Sequence, residues 1–416
     1  MEQDRLRIAM VSAEQSCFGQ NVHVSGLSAA LAGGGHAVTV YTRREGTFRT
    51  GHGRTESGHD VVRVSTGTAV GGDENTMISQ LGRLADFLGR CWRDDPPDVV
   101  HAHGWASGLA GVLAARHGIP VVQTYYGLGG SAGRSRGERI VGREVARVIA
   151  MSFGEVLGLA RTGVGRNRIS VVPTGVDVQL FTPWGLGAKR GTRRRIVAVR
   201  TVAPDSGLAD LVRVLSHVDN AELLIVGGAD RRRIRREPEV RWLRAFAART
   251  GVADRVVFTG GVSSERMVAL LRSADVVVCA PPHESVGHVP LEAMACGVPV
   301  VATTVGALAD SVVDGVTGVH VPPGRPRQLA KVLRGLLDDG VRREQFGVAG
   351  RDRASARYSW ERIAADTVEV YHDAVADFRS RAAGRSELWP AAVVSSSTGG
   401  DVASSHSRGT AGSGNG

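Results

Sequence analysis

Short runs of β-branched and aliphatic residues alternate with longer stretches of helical period along most of the chain. RIAMVS at 7–12, AVTVYT at 37–42, DVVHAH at 98–103, PVVQTY at 120–125, RVIAMS at 147–152 and ISVVP at 169–173 are near-continuous apolar runs. Such runs indicate strands covered on both faces, as in a parallel sheet, whereas a half-exposed strand alternates. Helical patterns at 24–32 and 106–116 lie between them, and strand–helix alternation predicts a doubly wound α/β domain. The pattern restarts with IVAVR at 196–200, ELLIV at 222–226, RVVF at 255–258, DVVVC at 275–279 and PVVAT at 299–303. A Gly- and Arg-rich stretch at 183–195 reads as the joint. Two such sheets place their carboxyl-end loops around a shared cleft, where ligands of this architecture bind.

Length and composition agree. At 416 residues, 42% of them apolar and 5% aromatic, the chain exceeds one ordinary core and suits close helix-on-sheet packing. The formal charge of +10 raises the question of nucleic acid. The only lysines are Lys189 and Lys331, so the positive charge is a uniform arginine bias. The dense run RRRIRR at 231–236 lacks interleaved aromatics and reads as a solvated helix face. Four scattered cysteines, Cys17, Cys91, Cys279 and Cys296, show no metal or disulfide spacing. MEQDRLRIAMVS is no signal peptide and no stretch approaches a membrane span, so a cytoplasmic location is expected. The Ser/Gly-rich tail from 386 is expected to be disordered.

The candidate chemistry centres on HESVGHVPLEAMACG at 283–297. Pro290 suits a first helical turn and Gly297 a C-terminal cap, which predicts a helix over 289–296. Ahead of it, Val286, Gly287 and His288 are expected to present free amides at a positive helix start, a ready site for a diphosphate. Glu284 before the turn and Glu292 within the helix can accept hydrogen bonds from hydroxyls on either side. Diol, diphosphate and diol in line describe a nucleotide sugar. The plainer alternative is a loop carboxylate and an acid favoured by the helix dipole. His101 and His103 end a strand facing the cleft, with core or supporting roles expected. His283 and His288 are expected to be solvent-exposed, and Gly227–Gly228 to make a tight turn.

HESVGHVPLEAMACGVPVVAT resembles the signature of retaining glycosyltransferases of family 4, in which two glutamates bracket seven residues. FGQNVHV at 18–24, GGGHAVTVYTRR at 33–44, VVHAHGWASG at 99–108, VVPTGVD at 171–177, SADVVVCAPPHE at 273–284, DGVTGVHVPPG at 314–324 and YSWERIAADTVEVY at 358–371 extend the resemblance from residue 7 to about 376. It implies the GT-B fold, two Rossmann-like parallel-sheet domains facing a central cleft. Residues 1–183 would form the acceptor-side domain and 184–357 the nucleotide-sugar domain. Helices over 358–385 would cross back to the first domain, ahead of the tail at 386–416. The implied reaction is transfer of a hexose from a nucleotide diphosphate sugar to a small-molecule or glycan acceptor with retention, with neither cofactor nor metal. Glu284 would contact the donor sugar, Glu292 the ribose, and the amides near Gly287, His288 and Val289 the diphosphate, with Gly19 on the facing loop.

Three departures bear on activity. Members of the family carry Arg and Lys after the first strand of the second domain; VRTVAPDSG at 199–207 offers Arg200, with Ser206 where the lysine belongs and Asp205 beside it. Loss of a positioned charge of this kind costs roughly a thousandfold in rate. Tyr126 replaces a histidine near the donor sugar and cannot carry positive charge. Phe18–Gly19 replaces a Gly-Gly pair, so Phe18 is expected to crowd the ligand. The alternative reading is therefore a silent relative that binds nucleotide or a partner without turnover; a sugar-nucleotide epimerase shares the architecture but not the glutamate turn.

Overall fold

A computed structural model describes residues 5–387 except 14–17, 45–49, 67–73, 116–117, 130–131, 205 and 231. The residues just ahead of Phe18, Asp205 and the tail from 388 thus lie outside the described residues. The chain divides into two units, Met1–Phe378 and Arg379–Gly416; of the second, the described part is the end of the helix Trp360–Glu387. That helix includes 386 and 387, two residues expected to belong to the tail.

The first unit holds two sheets. The first contains β1 (Arg7–Ser12), β2 (Ala37–Arg44), β3 (Gly51–Arg54), β4 (Asp60–Ser65), β5 (Val99–His103), β6 (Val121–Thr124), β7 (Arg147–Ala150) and β8 (Ile169–Val171). Their order is β3-β4-β2-β1-β5-β6-β7-β8, parallel except for the β3–β4 hairpin. The second contains β9 (Arg194–Val199), β10 (Ala221–Asp230), β11 (Val256–Gly261), β12 (Val276–Cys279), β13 (Val300–Thr303) and β14 (Gly318–Val321). It is all parallel, in the order β11-β10-β9-β12-β13-β14.

The apolar runs found their strands because strands such as VVHAH and VVVC are buried along their whole length. β3, β4 and β14 were not legible this way. GHGR has no apolar residue and is a strand only because β4 pairs with it, while DVVRVS is only partly buried near the sheet edge. The expected joint is also shorter than 183–195. Arg194 and Arg195 belong to β9, and Arg195 is buried with its Nε 2.7 Å from Glu222 Oε1.

The helix Trp360–Glu387 packs on the first sheet. Ile363, Val370, Tyr371 and Ala374 join Ile8, Met10, Leu27 and Val99 in one core. Trp360 is wedged between glycines: a Cβ at Gly26 or Gly175 would fall 2.2 or 2.4 Å from its ring. Tyr371 Oη lies 2.7 Å from His101 Nδ1, and Arg147 forms ion pairs with Asp373 and Asp377. Where this helix begins, Val176 N donates to Tyr358 O over 2.8 Å, so the chain's two passages between the halves run side by side. Among the described residues no group of His, Cys, Asp or Glu is placed to hold a metal, and no helix is long and apolar enough to cross a membrane.

Candidate functional site

A cavity of about 890 Å³ opens among the loops at the carboxyl ends of the second sheet. Arg200 follows β9, Gly227–Ala229 lie within β10, and His283–Val286 form the loop after β12; the first half contributes Gly19 and Tyr126. His288 and Val289 line it at the start of the helix His288–Ala295.

The glutamate turn is closed on itself. Glu284 Oε1 accepts from the amides of Val286 and Gly287, each at 3.3 Å, and Oε2 lies 3.5 Å from Arg200 Nη1. Two amides expected to be free are therefore engaged by a carboxylate from the same loop. The reason is geometric: Gly287, at φ 72°, turns the backbone so that successive N–H groups converge, and the nearest anion is Glu284. Ala307 sits where a Gly287 Cβ would need to be, 2.9 Å away, which fixes glycine there twice over. Arg200 and Glu284 are 22% and 25% exposed, so water and ligand reach both.

The two glutamates differ in exposure. Glu292 is 8% exposed and does not line the cavity. Burial pushes its carboxyl up to about 8, so at neutral pH it is mostly protonated. The folded state thus binds this proton more tightly than the unfolded chain, whose value is near 4.5. Its contribution to stability is present below pH 4.5 and lost as pH rises through about 8. Glu292→Gln cannot ionise, so above pH 8 the variant is expected to melt at higher temperature than the parent, the gap closing toward pH 5. A pH-independent difference in melting temperature would refute this.

Ser206 also stands away from the cavity lining. It is buried, its hydroxyl donating to Ala203 O at 2.5 Å, and Gly207 then starts the next helix. His283 is exposed as expected, but His288 is half-buried, and burial lowers its pKa against the opposing pull of Glu284.

On the first half, Tyr126 Oη is 2.9 Å from His103 Nδ1. His103, His101 and His23 are all buried, their rings 4.1 Å (His101–His103) and 5.8 Å (His23–His103) apart at the centroids. Burial lowers His101 to about 3 and His23 to about 4, and His103 falls well below its usual value for the same reason. All three are neutral at physiological pH, so the wall behind Tyr126 offers hydrogen bonds without charge. The loop after Tyr126 is clamped by Glu138, which accepts from Gly129 N and Arg134 Nε, while Arg134 Nη2 donates to Gly127 O. The halves meet at its tip. A Cβ on Gly127 would lie 3.0 Å from Ser285 Oγ, and one on Gly19 3.1 Å from Val286 Cγ2. Phe18 opens the helix beside Gly19; its side chain lies outside the described placements.

Sequence reasoning missed the far end of the cavity, lined by Val202, Ala229, Glu237, Glu239, Val262 and Met267. Pro238 at a helix start was a readable signal for the element, but nothing in REPEV shows that its acids face a cleft.

Comparison with known proteins followed the same division of the chain. Residues 187–353 match the family described as "Glycosyl transferases group 1", and residues 18–175 the "Glycosyl transferase 4-like domain". A protein of Xylanimonas cellulosilytica named D-inositol 3-phosphate glycosyltransferase is 34% identical, over 88% of this chain and 97% of its own. One of the same name from Mycolicibacterium smegmatis is 33% identical, over 87% and 88%. Among solved structures, sucrose-phosphate synthase from Thermosynechococcus elongatus superposes with a TM-score of 0.79 at 24% identity, over 89% of this chain and all of that one. HepE of Anabaena, in complex with UDP and glucose, gives 0.71 at 19%, over 88% and 99%.

Proposed function

The chain belongs to the group 1 glycosyltransferases, with the GT-B fold and a nucleotide sugar as donor, and from that premise we propose that it transfers a hexose with retention to a small polar acceptor. The observation that carries the reading is Glu284, held at a glycine-started helix and faced by Arg200, inside the cavity between the halves. Arg200 and the amides of Val286, Gly287 and His288 take the charge of the diphosphate; Glu284, displaced from those amides, accepts from donor-sugar hydroxyls. Tyr126 meets the sugar from the first half, and Gly19 and Val289 complete the walls. The bond from the sugar's anomeric carbon to the diphosphate oxygen breaks as the acceptor oxygen bonds to that carbon on the same face. The acceptor's proton passes to the leaving diphosphate. The relatives' shared name makes a phosphorylated cyclitol the first acceptor to try. Three described cysteines, none paired, suit the cytoplasm as the site of action.

The second reading, a silent nucleotide binder, is favoured by Ser206, whose hydroxyl is turned into its own turn where a cation is expected. One experiment separates the two. The folded protein is incubated with UDP-, GDP- and ADP-activated hexoses and inositol 3-phosphate, and products are read by mass spectrometry and NMR. Transfer with the donor's anomeric configuration is expected. An inverted product would overturn retention; neither transfer nor donor hydrolysis, with nucleoside diphosphate still bound, would establish the silent reading.

A further inference from the structure

The far end of the cavity has a chemistry of its own. Its walls are apolar at Val202, Val262 and Met267, side chains against which a ring can pack. Its charged side chains are both acids: Glu237 and Glu239, just before and within the first turn of the helix Pro238–Arg249, with the Thr201 hydroxyl beside Val202. Glu237 is committed to the fold, since its Oε1 accepts from Ala229 N at 2.6 Å and fixes the Gly227–Ala229 backbone. Glu239 is half-buried in the same wall, and among the described residues no hydrogen bond or ion pair engages its carboxylate. The lining arginine, Arg200, is turned to Glu284 at the other end.

We propose that Glu239 reads the nucleobase and that the base is guanine, so that the donor is a guanosine diphosphate sugar; this rests on the nucleotide-sugar reading above. The physical reason is the pattern of donors on each base edge. Guanine presents N1–H and an N2 amino hydrogen side by side, two parallel donors matched to the two oxygens of a carboxylate. Adenine offers its amino group beside a ring nitrogen lone pair, so one carboxylate oxygen goes unpaired. Uracil offers one N–H between two carbonyl oxygens, which meet a carboxylate with repulsion. In a half-buried wall an unpaired or repelled acceptor is costly, so the site ranks guanine over adenine over uracil. An acid placed merely to complement the helix dipole would rank none of them.

The test is calorimetric titration of the full chain with GDP, UDP and ADP, which reads binding whether or not transfer occurs. GDP is expected to bind at least about tenfold tighter than either competitor, the scale of one good bidentate contact. Glu239→Gln keeps the size but replaces one acceptor oxygen by a donor; it is expected to lose most of that GDP preference while UDP binds as before or better. Its melting temperature, unchanged for a residue outside the core, checks the fold. UDP or ADP binding as tightly as GDP would overturn the assignment of guanine with the nucleotide site intact. A GDP preference that survives Glu239→Gln would overturn the role of Glu239. No binding by any of the three would overturn the nucleotide-sugar site itself, and this inference with it.

Discussion

Glu284→Gln is expected to lower sugar transfer roughly a thousandfold, the scale of losing one positioned group that acts on transition-state charge, while nucleoside diphosphate binding holds or tightens. The two halves of this result have one cause. In the structure the Glu284 carboxylate accepts from the amides of Val286 and Gly287 and faces Arg200. On the proposed reading a diphosphate would use the same three groups, so the carboxylate would compete with it and turn toward the sugar as the diphosphate binds. Glutamine is a weaker acceptor with no charge; it competes less for the amides and leaves Arg200 to the phosphates, yet cannot support the developing positive charge on the sugar. Steady-state kinetics and calorimetry with a nucleoside diphosphate read the two effects separately. Binding that weakens in step with activity would show that Glu284 is only part of the binding surface.

Gly306→Ala is expected to reduce transfer at least about a hundredfold, because displacement of a catalytic group by about 1 Å has that effect, and to destabilise the fold by about 1–3 kcal/mol. Gly306 starts a short helix at φ 47°, and a Cβ there would fall 1.8 Å from the carbonyl oxygen of Glu284. Backbone cannot yield as a flexible side chain does, so the glutamate turn must move. Gly315→Ala supplies the control. Gly315 has a similar positive φ of 72° but open space around its Cβ direction, so it carries the conformational cost, about 1 kcal/mol, without touching the site. Melting temperature and transfer rate measured on both variants distinguish the contact from the dihedral. Full activity in Gly306→Ala would mean that Glu284 is not held where its function requires.

These two residues also mark how far the sequence can be read. Continuous apolar runs located the buried strands because a strand covered on both faces needs nothing else, whereas GHGR became β3 only through its partner. Glu284, Arg200 and Tyr126 could be placed at the cavity because they lie on loops at the carboxyl ends of strands, and Gly19 because it sits at the start of the helix that follows the first strand. What stayed hidden was direction. Eight positions separate Glu284 and Glu292, but that spacing does not say that the first faces solvent and the second turns into the core with a pKa near 8. Nor could it show that the turn's own carboxylate would take its amides. Gly306 is an ordinary glycine in VGALAD until the fold brings it against a carbonyl 22 positions earlier. The carboxylates of the far wall were missed for the same reason, since a helix start announces its acids without announcing what they look upon.

The Tyr371–His101 hydrogen bond joins residues 270 positions apart, and Trp360 fills a gap between Gly26 and Gly175. During translation the amino-terminal sheet therefore leaves the ribosome long before the segment that covers His101 and the surrounding aliphatic surface has been made. Until then that surface is open to chaperones and to aggregation. A nascent chain stalled, or a gene truncated, just before codon 360 would encode every strand of both sheets and still yield a first half with its seam unsealed.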